Sequence, residues 1–206
     1  MTAMTRRTAL QFGLSCLAMQ VAMAQEKPIA LDWRTGLVGA ALEQIGVTTH
    51  YDPAYTRLAY PGGDVAPERG VCTDVVVRAY RRAFDLDLQR LVHEDMLANF
   101  GAYPKTWGLK APDRNIDHRR VQNLAVFFER RGGSLPVSQD PADYQPGALV
   151  TQMLPGNLPH IAIVSSNRSA EVPERALVIH NIGAGAREED TLFAFRQTGH
   201  FSFAPT

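Results

Sequence analysis

Val71-Cys72-Thr73-Asp74-Val75-Val76-Val77-Arg78-Ala79-Tyr80-Arg81-Arg82-Ala83-Phe84 is the stretch on which the reading of the fold turns. Three consecutive valines suit a strand. Yet Val75, Val76, Ala79, Ala83 and Phe84 form one apolar stripe at helical spacing, with Arg78, Arg81 and Arg82 as the wet side. The spacing and the arginines favour a helix, which puts Cys72 in its first turn directly after Gly70-Val71. Upstream, residues 29–46 read as a helix through Leu31, Leu37, Val38, Ala41, Leu42 and Ile45, stopped by Gly46. A Pro-, Gly- and Tyr-rich loop runs from Thr48 to Gly70. Downstream, residues 87–100 read as a second amphipathic helix. Asp117 can cap a third, carrying Val121, Leu124, Ala125 and Phe128 and ending at Gly132-Gly133.

The pattern changes after Pro136. Residues 148–153, 160–165, 176–180, 193–196 and 200–203 are short β-type runs separated by turn-forming residues. Helices followed by strands predict an α+β fold, with N-terminal helices packed on a C-terminal antiparallel sheet. The 206 residues suit one domain with a real core. At 45% apolar residues the chain is no disordered polymer, and 21 basic against 21 acidic side chains argue against nucleic acid as a partner.

Residues 1–24 read separately. Arg6-Arg7, a short apolar stretch and Ala22-Met23-Ala24 describe a secretory signal peptide cleaved after Ala24, by a Sec or twin-arginine route. Its apolar stretch is too short to anchor the mature chain in a membrane. Cleavage removes two basic residues and no acidic ones, leaving 19 basic and 21 acidic, a net of −2 over residues 25–206. It also removes Cys16, so a periplasmic protein is left with Cys72 alone, which has no internal disulfide partner. Such a thiol is either buried and inert or kept for its chemistry.

A cysteine at a helix start has its pKa lowered by the helix dipole. His160 opens a β run after a turn-rich segment, and His180 ends another. On hairpin neighbours the two rings would meet, with His160 as base for the thiol and His180 as its orienter, an ion pair then holding the sulfur as thiolate. Each of these residues also has a purely structural reading, as core filler or a satisfied strand histidine.

The stretch from Tyr60 to Asp74, with Gly62-Gly63, Pro67 and Gly70 leading to Cys72, resembles the nucleophile region of NlpC-type papain-like cell-wall peptidases. Pro146-Gly147-Ala148-Leu149-Val150 and His160-Ile161-Ala162-Ile163-Val164 resemble that family's two strands before and at the base histidine. Nearly the whole mature chain resembles the bacterial family called domain of unknown function 1287. The strings Gly70 to Tyr80, Val92 to Met96, Asn115 to Val121 and Val178 to Gly183 carry that likeness. The resemblance implies a papain-like fold with Cys72 as nucleophile, His160 as base, His180 as orienter and Tyr60 assisting the oxyanion. It implies no cofactor and no metal. Thr73-Asp74 departs from the Ser-Gly usual after the cysteine, and Ala148 from the Asp of the Pro-Gly-Asp turn. Segment 85–135 is an insertion relative to the minimal core.

In that insertion, Asp117, His118, Arg119 and Arg120, with Trp107 nearby and Asp74 beside the cysteine, form a candidate substrate-contacting lip. There Arg119 or Arg120 would pair with a carboxylate. The plainer reading is a helix cap and a solvated charged face. His93-Glu94-Asp95 lacks metal-binding spacing, and Gly183 to Ala186 reads as a turn rather than a phosphate loop. Three functions follow: a thiol hydrolase acting on an amide bond of peptidoglycan stem peptides, a non-catalytic binding module for a cell-wall peptide or a protein, and a zinc hydrolase using His160, His180 and a carboxylate such as Asp117. A catalytic Cys72 is expected to react with iodoacetamide faster than a free thiol at pH 6.

Overall fold

The computed structural model describes residues 32–205; the signal peptide expected over residues 1–24 and the start of the helix expected from residue 29 lie outside the described residues. Four α-helices follow in order: α1 (Trp33–Leu42), α2 (Cys72–Phe84), α3 (Leu88–Asn99) and α4 (Val121–Arg130). Asp32 and Asp87 cap α1 and α3 by accepting from the amides of Arg34 and Gln89. The strands are β1 (His50–Tyr51), β2 (Arg69–Gly70), β3 (Ser134–Leu135), β4 (Leu149–Leu154), β5 (Leu158–Arg168), β6 (Ala176–Asn181), β7 (Ala186–Glu189) and β8 (Arg196–Phe201). Strands β3 to β8 form one antiparallel sheet in the order β3-β8-β4-β5-β6-β7. The α+β class and the helices-then-sheet order read from the sequence are therefore observed.

Strand alternation gives β5 two apolar faces. Ile161 and Ile163 join Leu149, Ile179 and the helices in the main core, whereas Ala162 and Val164 join Tyr144, Val150, Val178 and Leu192 in a second cluster. Segment 85–135 is no appendage: Leu88, Val92 and Met96 of α3 and Leu124, Phe127 and Phe128 of α4 are buried in the same core as Val75, Val76 and Ala79 of α2. Tyr80 closes this core from α2, its ring against Phe84, Phe128 and Phe203 and its hydroxyl donating to the Phe203 carbonyl at 2.7 Å.

Several local expectations are corrected. The segment 48–70 is not all loop: β1 and β2 pair in parallel, His50 with Arg69 and Tyr51 with Gly70. Arg78 and Arg81 do not form a wet face. Arg78 grips Asp64 through Nε at 2.8 Å and Nη2 at 3.0 Å and donates to Thr48 and the Arg69 carbonyl, while Arg81 reaches Asp87 at 2.9 Å. α2 is thus a clamp for the loop that delivers Cys72. Asp117 does not cap α4; it begins a short 3-10 turn, Asp117–Arg119, and α4 starts only after Arg120. Residues 193–195 form a turn rather than a strand, and the polar β7, unmarked by any apolar pattern, takes the sheet edge instead. Among the described residues no helix is long and apolar enough to cross a membrane.

Candidate active site

The loop before α2 fixes where Cys72 sits. Gly70 leaves little room for a side chain: a Cβ there would stand 3.1 Å from the Asp74 side chain and 3.2 Å from Arg78, so a neighbour would have to shift by a few tenths of an ångström. Its carbonyl accepts from Asn181 Nδ2 at 3.0 Å, which ties the end of β6 to the turn before the cysteine. The Asp74 carboxylate accepts from the Val71 amide at 2.7 Å, satisfying a free donor at the helix N-terminus. Cys72 follows as the first residue of α2, 3% exposed.

The cysteine lines a cavity of about 190 Å³ together with Tyr51, Pro53, Val71, Ile116, Arg119, Arg120, Val121, Gln122 and Pro159. A larger cavity of about 790 Å³, between Tyr55, Arg57, His93, Lys110 and Arg114, does not reach Cys72, so the thiol marks the smaller one as the candidate site, although neither His160 nor His180 lines it. Burial pushes the Cys72 thiol up to about 11 and the Asp74 charge adds to this, against the amides of Ile161, Thr73 and Cys72 itself, which favour the anion. Amides at the helix start favour the thiolate, but desolvation outweighs them.

His160 and His180 are brought together. The register pairs Ile163 with Ile179, making the two histidines diagonal neighbours on one face of β5 and β6. His160 Nε2 lies 2.9 Å from His180 Nδ1, and His180 Nε2 lies 2.8 Å from Glu189 Oε2 on β7. Burial, then the neighbouring His180, holds His160 down to about 3; burial also lowers His180, against the pull of Glu189. Cys72 approaches the same strand from the helix side, where its sulfur meets the amide of Ile161, the residue after His160. Among the described residues no hydrogen bond joins the thiol to His160. Burial favours the neutral form of both thiol and imidazole, against the expected thiolate–imidazolium pair.

The proposed lip divides. Arg119 is buried, and its fork is committed internally: Nε and Nη2 to Asp74, both at 2.9 Å, Nη1 to the Ala54 carbonyl at 3.0 Å and Nη2 also to the Asp52 carbonyl at 2.9 Å. Asp74 and Arg119 therefore brace the cysteine's helix, and the Arg119 fork has its donors spent inside the protein although the residue lines the cavity. His118 is 2% exposed and burial holds it down to about 4; Asp117 is 1% exposed and burial pushes it up to about 6. Both belong to the interior. Arg120 lines the cavity, its guanidinium 4.0 Å above the Trp107 indole and 3.3 Å from Asp117. Of the expected carboxylate-binding residues, Arg120 is the one left open to a ligand.

Tyr60 is likewise displaced from the role implied for it. Its ring stands edge-on to His93 at 5.1 Å and under Arg114, and it does not line the Cys72 cavity. Tyr51 stands there instead. Burial, then the charges of Cys72 and Asp74, push its hydroxyl up to about 12, so it keeps a proton to donate. Tyr51, Asn181 and Glu189 were not singled out in the sequence. Tyr51 lies in a stretch without periodicity, and Glu189 in an acidic run that reads as solvated surface. Asn181, directly after His180, was the nearest to a signal. Within His93-Glu94-Asp95, Asp95 is structural, accepting from Tyr103 at 2.6 Å and Arg130 at 2.7 Å. Among the described residues no group of three or more His, Cys, Asp or Glu side chains has an arrangement that could hold a metal ion, so His160, His180 and Asp117 do not assemble into one.

Comparison with known proteins adds a family. The model of the family described as "Domain of unknown function (DUF1287)" matches residues 38–203. The chain is also 53% identical over 167 residues to "Uncharacterized protein YijF" of Escherichia coli (strain K12), an alignment covering 81% of this chain and 80% of that protein. The chain belongs to the DUF1287 family.

Proposed function

We propose that this DUF1287 member is an exported thiol hydrolase of the papain-like NlpC type that cleaves an amide bond, with peptidoglycan stem peptides as substrate. One observation carries the reading. A cysteine at the first position of a helix lines a cavity and rests against the strand residue next to a histidine, itself hydrogen-bonded to a second histidine. With His160 Nε2 turned to His180, Nδ1 is the nitrogen left for the sulfur.

In the proposed reaction Cys72 Sγ attacks the carbonyl carbon as its proton passes to His160 Nδ1. The Cys72 amide at the helix N-terminus and the Tyr51 hydroxyl donate to the developing oxyanion. The C–N bond then breaks, His160 returns the proton to the departing amine, and a thioester remains. Water attacks the thioester with His160 as base, releasing the acid and restoring the thiol. Because both groups start neutral, proton transfer accompanies attack and does not precede it. Arg120, stacked on Trp107, suits a substrate carboxylate.

The alternative is a binding module on the same fold, favoured by the neutral thiol pushed up to about 11. Turnover separates the two more directly than alkylation does, since a neutral resting thiol labels slowly under either. Purified sacculi are digested with the chain from residue 25 and with its Cys72→Ala variant, and the soluble fragments are identified by mass spectrometry. The expected result is new amide-cleaved muropeptides from the unaltered chain alone. Intact sacculi with both would remove the cell-wall hydrolase reading.

A further inference from the structure

The geometry points to Glu189 as a positioning residue that fixes the protons of the histidine pair, keeping His160 in the tautomer with a bare Nδ1. The argument starts at the outer end of the chain of contacts. An ionised carboxylate only accepts, so across the 2.8 Å contact His180 Nε2 must carry the hydrogen. A neutral imidazole has one donor and one acceptor, so His180 Nδ1 is then an acceptor. Across the 2.9 Å contact His160 Nε2 must therefore donate, and the lone pair of His160 sits on Nδ1.

Burial, which lowers the pKa of both histidines, supports the neutral forms this requires. Glu189 is the only carboxylate touching the pair among the described residues. Its neighbour Glu188 is committed to Ser165 and Asn167. The guanidinium of Arg187 lies 4.0 Å from the second oxygen of Glu189. The order of donors would reverse if the outermost group were itself a donor, placing a hydrogen on His160 Nδ1 and removing the base.

The proton positions stand on the two contacts and on neutral imidazoles; their value for catalysis rests on the hydrolase reading above. Long-range proton–nitrogen spectra of the ¹⁵N-histidine-labelled protein at pH 7, assigned with His160→Gln and His180→Gln, read each tautomer directly. Nε2–H forms for both residues are expected in the unaltered protein, and a loss of this single tautomer in Glu189→Ala. A hydrogen on His160 Nδ1 in the unaltered protein would overturn the inference without any variant having to fold. So would unchanged tautomers in a folded Glu189→Ala. In the sacculus digest, Glu189→Ala is expected to lower kcat about 10- to 100-fold with KM little changed. Full activity of Glu189→Ala beside an inactive Cys72→Ala would remove the positioning role and leave the hydrolase standing. Absence of digestion by the unaltered protein would remove the hydrolase, and the spectra would still decide the tautomers.

Discussion

Arg119 and Arg120 adjoin in sequence and end in different surroundings. The side chain of Arg119 is 1% exposed against an Asp74 that is 3% exposed, while that of Arg120 is 16% exposed in the cavity lining. In sequence the two were interchangeable candidates for a carboxylate. What separates them is the 3-10 turn Asp117–Arg119, whose tighter winding no residue pattern announced. Truncating Arg119 leaves a buried Asp74 unpaired, so Arg119→Ala is expected to lose about 3–5 kcal/mol in urea denaturation. Arg119→Lys recovers little of it, because an ammonium cannot match a fork bonded to one carboxylate and two carbonyls. Arg120→Ala is expected to cost less than Arg119→Ala, because burial already favours a protonated Asp117 that can shed its charge when the guanidinium goes, and to raise KM for a carboxylate-bearing substrate. Equal losses from the two alanine variants would refute the division of roles. Cys72, His160 and His180 were legible because their residue types are chemically distinctive. Tyr51 and Glu189 were not, because their roles come from tertiary placement.

At the scale of elements, the helices were legible wherever an apolar stripe ran for two turns or more, as in α2 and α4. The strands that escaped notice are two or four residues long, too short for alternation to register. The β1–β2 pair exists because Arg78 draws the 64–69 loop onto α2, which seats Arg69 and Gly70 alongside His50 and Tyr51. It follows that Arg78→Met, which keeps much of the stem and deletes five donors, should release the loop while α2 stays folded. Limited proteolysis read by mass spectrometry should then show new cuts between residues 52 and 69, with circular dichroism at helical wavelengths unchanged. An unaltered cleavage pattern would mean the parallel pair holds the loop without the clamp. The same release would displace Tyr51 from Cys72, so activity should fall along with protection.

Acid acts on the whole molecule through groups buried in their neutral forms. His160 titrates at about 3 in the folded chain against an ordinary 6.5, and His118 at about 4. Between those values and 6.5 the unfolded chain binds protons that the folded chain refuses, so stability falls as pH drops through this window. Asp117 works the other way. Raised from 3.8 to about 6, it holds a proton in the folded chain while the unfolded carboxyl has released its own, so acidification from about 6 to 3.8 favours folding. Two histidine windows, each wider than the one carboxyl window, decide the sign: the urea midpoint should decline from pH 6.5 to pH 4. His160→Gln keeps a polar side chain of similar reach and removes the largest of these titrations, so its midpoint should fall less steeply over the same range. A midpoint that stays level in the unaltered chain, or a slope unchanged in His160→Gln, would mean that the His160 imidazole is hydrated and already able to ionise. That would return the site to the thiolate–imidazolium pair and shift the proton transfer to before the attack.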